Sequence, residues 1–118
     1  MQPQPQLTQP QLSRALVLEK PTRVSDGAGG FTNGWVVLGT LWADVRAGSG
    51  REIAGQVVAV ARVPYRVIVR AALVGSTARP LVDQRFRDGA RIFRILAVAE
   101  TDSGGRYLTC LTDEEVVA

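Results

Sequence analysis

The sequence predicts an all-β domain, a small antiparallel β-barrel with a long inter-strand loop and a disordered N-terminal arm. Three observations point there. From Ala15 onward the chain consists of short apolar segments separated by Gly and Asp clusters. Two of those segments, Arg62 to Arg70 and Arg91 to Ala99, alternate apolar and polar residues with the period of a half-buried strand. The first thirteen residues, MQPQPQLTQPQLS, are instead Pro- and Gln-rich and nearly uncharged, which disfavours both helix and sheet. The domain organisation that follows is an arm over residues 1–13 and a single β-barrel domain over 14–118. A chain of 118 residues has room for one such core and not for two.

Taken in order, Ala15 to Lys20 reads as a first strand stopped by Pro21, and Asp26-Gly27-Ala28-Gly29-Gly30 as a turn. Trp35 to Arg46 reads as a long second strand, with Leu41, Ala43 and Val45 on one face and Thr40, Trp42, Asp44 and Arg46 on the other. Ala47 to Gly50 is a loop. Ile53 to Ala61 fits helical spacing as well as a continuation into the next strand. In that strand Tyr65, Val67 and Val69 oppose Arg66, Ile68 and Arg70. Gly75 to Gln84 is punctuated by Gly, Ser and Pro and reads as a connection. Phe93, Ile95 and Ala97 oppose Arg94 in the fourth strand. Thr101 to Gly105 makes a turn, and Arg106 to Thr112 is the fifth strand.

The composition excludes whole classes of chemistry. The chain has no histidine, which removes Ser-His-Asp and Cys-His nucleophiles and the commonest metal ligand. A single cysteine, Cys110, allows no intrachain disulfide and no zinc knuckle, and its setting in Tyr107-Leu108-Thr109-Cys110-Leu111 marks a strand thiol turned into the core. Asp44, Glu52, Asp83 and Asp88 are scattered across strand reversals and form no catalytic pair, and Asp113-Glu114-Glu115 reads as a solvated acidic end. The glycines of residues 26–34 lack the Gly-Lys-Ser/Thr ending of a phosphate loop. No catalytic, cofactor or metal site is expected.

The net charge is +3 and the basic residues are nearly all arginines, interleaved with acids rather than gathered in a block. A basic barrel with stacking aromatics would be an OB-like single-strand nucleic-acid binder, which stands as the alternative reading. Aromatics are 6% of the chain, and its exposed candidates are Trp35, Trp42 and Tyr107. No signal sequence and no membrane-spanning stretch is expected.

Several short signatures recur in a fixed order. They are Asp26-Gly27-Ala28-Gly29-Gly30 followed by Trp35; Thr40-Leu41-Trp42-Ala43-Asp44-Val45; Gly48-Ser49-Gly50-Arg51-Glu52; Tyr65-Arg66-Val67-Ile68-Val69-Arg70; and Asp88-Gly89-Ala90-Arg91-Ile92-Phe93-Arg94-Ile95 with Ala97-Val98. From about Leu16 to Thr112 this set resembles the phage head-tail joining family, also called head-closure or stopper proteins. One departure is Ala71 after Arg70, where the family usually has tyrosine. Arg79-Pro80 and Arg85-Phe86 resemble the version in gene transfer agents.

The resemblance implies a structural virion protein, made in the bacterial cytoplasm and placed in the neck of a phage-like particle. It implies a small barrel that assembles with copies of itself as a ring. The portal and adaptor would lie above it, a tail terminator or tail protein below, and packaged DNA in the channel. It further implies that the loop after the second strand, from Ala47 to about Gln56, reaches toward that channel and carries Ser49, Gly50, Arg51 and Glu52 as its lumen-facing residues.

Overall fold

The computed structural model describes residues 9–48 and 60–117. Six strands make a single antiparallel sheet: β1 (Arg14–Ser25), β2 (Phe31–Ala47), β3 (Val60–Arg70), β4 (Arg85–Asp88), β5 (Arg91–Glu100) and β6 (Tyr107–Val117). Their order is β1-β2-β3-β6-β5-β4, and β4 pairs back onto β1 through Val17–Arg87, Leu18–Phe86 and Glu19–Arg85, so the sheet closes as a barrel. Closure removes the sheet edges that a small all-β domain otherwise leaves open to aggregation.

The core follows from strand alternation. Leu16 and Leu18 of β1, Ala43 of β2, Val67 and Val69 of β3, Phe86 of β4, Phe93 and Ile95 of β5, and Leu108 and Cys110 of β6 are all buried and in contact. Leu41, Val45 and Tyr65 pack against them, as their alternation predicts. Burial in this apolar surrounding pushes the Cys110 thiol up to about 12, so it is a packing group and not a nucleophile at neutral pH.

Four sequence expectations need correction. First, β1 does not stop at Pro21 but runs on to Ser25, with Pro21 opposite Trp35. β4 pairs with β1 only as far as Glu19, so no strand needs an N–H from Pro21 on that side. Second, the described residues form six strands and not five. β4 is only four residues, Arg-Phe-Arg-Asp, too short to show a period, yet its Phe86 is fully buried. Third, a bulge at Leu96 shifts the register of β5, so that Ala97 pairs with Leu111 and Val98, rather than Ala97, turns toward Cys110 and the core. Fourth, Asp113-Glu114-Glu115 is not a solvated end but part of β6, with Asp113 buried and Glu114 half-buried. The expected disordered arm falls largely on residues 1–8, and the long loop on residues 49–59, both outside the described residues.

A second bulge lies at Leu38, where Leu18 pairs with Gly39 but Glu19 with Val37. Beyond it β1 and β2 continue as a two-stranded ribbon, from Lys20–Val36 out to Ser25–Phe31, with no third strand alongside among the described residues. Asp26 shapes the tip. Its Oδ1 accepts the N–H groups of Ala28 at 2.8 Å and Gly30 at 3.0 Å, which hold its carboxyl below the usual range, while Gly27 and Gly29 supply the positive φ the reversal requires.

Candidate interaction surfaces

The loop base comes first, because the sequence-predicted site residues Ser49, Gly50, Arg51 and Glu52 lie outside the described residues. Its first described residue is fixed by sterics. The Gly48 N–H donates to the Pro64 carbonyl at 2.8 Å, and a Cβ built on Gly48 would stand 2.9 Å from Pro64 Cβ and 3.0 Å from that same carbonyl oxygen. Only glycine lets the chain leave β2 this close to β3. Gly48→Ala is therefore expected to destabilise the protein by roughly 1–3 kcal/mol, the range of an overpacked contact, as read by chemical denaturation. An unchanged midpoint would show that the loop base is not pinned there.

The barrel end below that loop is closed by charge over aromatics. Tyr65 and Phe93 meet edge to face, with ring centroids 5.3 Å apart. Arg91 lies over both rings, 4.9 Å from the centroid of Phe93. Its guanidinium is held by Glu114 in a bidentate pair, Nε to Oε2 at 2.7 Å and Nη2 to Oε1 at 3.0 Å. That pair raises the Arg91 pKa further above its ordinary value, so the cap is permanently charged.

The seam that closes the barrel is also ionic. Glu19 of β1 accepts from Arg85 Nε at 2.7 Å and Arg87 Nε at 3.1 Å, both from β4. Burial alone would raise the Glu19 carboxyl, but the two arginines outweigh it and the net shift is downward. Arg85 also stacks on Trp35 at 4.0 Å, tying the root of the ribbon to the seam. On the neighbouring strands Asp113 lies between Arg94 at 3.4 Å and Arg62 at 3.7 Å, and Arg14 pairs with Asp88. These carboxylates are structural, and among the described residues no group of acids or cysteine has the spacing to hold a metal.

Two surfaces remain for partners. The ribbon exposes Val24, Phe31, Trp35, Val36 and Val37, an apolar set on both of its faces. Only Trp35 among them was legible as an exposed aromatic. The others become visible once the ribbon is known to leave the barrel. The second surface is the outer face of β2, β3 and β6, which carries a groove of about 630 Å³ lined by Arg46, Arg66, Ile68, Arg106, Tyr107 and Leu111. Trp42, on the same face of β2, is 60% exposed, while Tyr107 is half-buried. No helix among the described residues is long and apolar enough to cross a membrane.

Comparison with known proteins bears on these surfaces. Residues 7–115 match the family described as phage head completion protein. Among solved structures, a chain from the virion of a native gene transfer agent (GTA) particle is 58% identical, with a TM-score of 0.79, over 93% of this chain and 100% of that one. Protein SF1141 from Shigella flexneri 2a, solved in solution, is 19% identical with a TM-score of 0.59, over 85% of this chain and 89% of that one, a likeness of fold alone. Among curated proteins nothing matches.

Proposed function

Because the chain belongs to the phage head completion protein family, we propose that it is a structural component of the neck of a phage-like particle, where it joins head to tail and closes the DNA exit channel. The observation that carries this reading is the near full-length identity with a chain of the gene transfer agent virion. A particle of that kind is the setting in which the protein acts, and its role there is mechanical, without a catalytic step.

The physical design supports such a role. A connector must hold its shape while several partners pull on it. Here the barrel is locked by buried aliphatic packing, an ionic seam at Glu19 and an ionic cap at Arg91–Glu114. Partners above and below need separate handles. In our reading the ribbon is one and the loop end of the barrel is the other. A ring of copies would use the apolar ribbon faces between subunits, consistent with the exposed Val24, Phe31, Val36 and Val37 there.

Channel closure falls to Ser49, Gly50, Arg51 and Glu52, on the loop that leaves the barrel at Gly48. The test is to shorten the segment between Gly48 and Val60 and measure DNA retention in purified particles beside thermal melting of the isolated variant. Halving a loop changes its closure entropy by only about 0.6 kcal/mol, so the barrel should still fold. Heads should still join tails but lose DNA early. Normal retention with a normal melt would leave the protein a plain spacer.

A further inference from the structure

The arginines of this chain are not distributed evenly by partner. Each arginine of β4 and β5 is matched to a carboxylate: Arg85 and Arg87 to Glu19, Arg91 to Glu114, and Arg94 to Asp113. Beyond Arg62, which pairs with Asp113 and Glu115, the outer face of β3 and the residue just before β6 reverse the situation. Arg66, Arg70 and Arg106 are exposed and have no carboxylate within ion-pair distance among the described residues. The strand register brings two of them to one face: Arg66 and Arg70 flank Ile68 on β3, and Arg66 lies between Arg46 of β2 and Leu111 of β6. The acid on that face of β2, Asp44, is already engaged by Arg46 at 2.8 Å and by the Gln11 N–H at 3.0 Å.

We infer that this face is a docking groove for an extended acidic segment, with interspersed apolar side chains, of a different protein. The shape and chemistry favour a peptide. The groove has an apolar floor, with Ile68 buried and Leu111 half-exposed, and its charged lining is Arg46, Arg66 and Arg106 against one acid, Asp102. An extended strand with acids on its edges and aliphatic side chains beneath would fill floor and charged lining together. A duplex phosphate backbone would reach the charged lining and leave the floor empty. The chain's own Gln9 and Pro10 form one wall of the groove, and the Gln11 N–H donates to Asp44 on the same face.

A second copy of this chain does not supply the occupant. Its densest acidic run, Asp113-Glu114-Glu115, is held by Arg91, Arg94 and Arg62 within its own barrel. Charge complementarity therefore points to a partner with acids to spare. The inference stands on this surface alone and does not depend on the neck reading.

The experiment is fluorescence anisotropy of the full chain with a labelled decapeptide alternating glutamate with leucine or valine. The same peptide with lysine for glutamate, and a labelled 20-base-pair DNA duplex, serve as comparison probes. The acidic peptide should bind, more weakly as salt rises. The double substitution Arg66→Ser with Arg106→Ser should weaken it by about tenfold or more, since two charge-assisted contacts are lost. Neither arginine has an ionic partner among the described residues, so the variant should melt as the parent does. Phe31→Ser, on the ribbon, should leave binding unchanged. No binding of the acidic peptide by the parent, equal binding by the double variant, or a duplex that displaces the peptide would each overturn the inference, the last by making this a phosphate-backbone site.

Discussion

Phe93→Ala is expected to cost about 4 kcal/mol, the range for truncating a fully buried aromatic. The ring is completely buried, opposite Phe86 in the register of β4 and β5, and edge-on to Tyr65. Removing it opens a cavity and also strips the support from beneath the Arg91–Glu114 pair, which would then enclose a void. For a domain of this size that loss lowers Tm by on the order of 20 °C. The comparison is Phe31→Ala at the ribbon. Phe31 is 55% exposed, its one ring contact being Arg23, and its loss should stay within about 0.5 kcal/mol. Denaturant melts of the two variants read the difference directly. Equal, small effects would mean that the barrel interior is not the source of stability.

Glu19→Gln is expected to cost about 1–2 kcal/mol, because it leaves Arg85 and Arg87 facing a neutral group in a part-buried seam. The pH dependence separates this from simple repacking. The Glu19 carboxyl is lowered in the folded state, so its contribution is fully present above the unfolded value of about 4.5 and is lost as pH falls through the lower folded value. The parent and Glu19→Gln should therefore differ most at neutral pH and converge in acid. A gap that persists at low pH would assign the loss to shape rather than to charge.

Much of the barrel was legible because alternation speaks plainly where one face is buried. Leu41, Ala43 and Val45, and Tyr65, Val67 and Val69, turn inward as their spacing requires. Where the reading failed, a local feature broke the period. The bulge at Leu96 shifts alternation by one residue, which misplaced Ala97, and nothing in an apolar run announces a bulge. β4 is too short to carry a period, and the seam it forms with β1 is a long-range pairing of Glu19 with arginines far along the chain. Pro21 looked like a strand end because a proline terminates an interior strand. It does not terminate a ribbon with an open edge.

The interaction surfaces were less legible for a related reason. Exposure of Phe31, Val36 and Val37 depends on the ribbon outrunning its neighbours, which is a property of register and not of composition. Arg66 and Arg106, which meet no carboxylate among the described residues, look the same in sequence as Arg85 and Arg94, which are matched. Family membership, by contrast, was carried by the ordered signatures, which span most of the matched region.

If this protein joins head to tail in a phage-like particle, as proposed, its loss should leave the two separate. Electron microscopy of particles from a producer strain lacking only this gene, scored for tailed particles, free heads and free tails, tests it most directly. Separate heads and tails are expected, with joining restored when the gene is supplied in trans. Tailed, DNA-filled particles in normal number without the protein would contradict it.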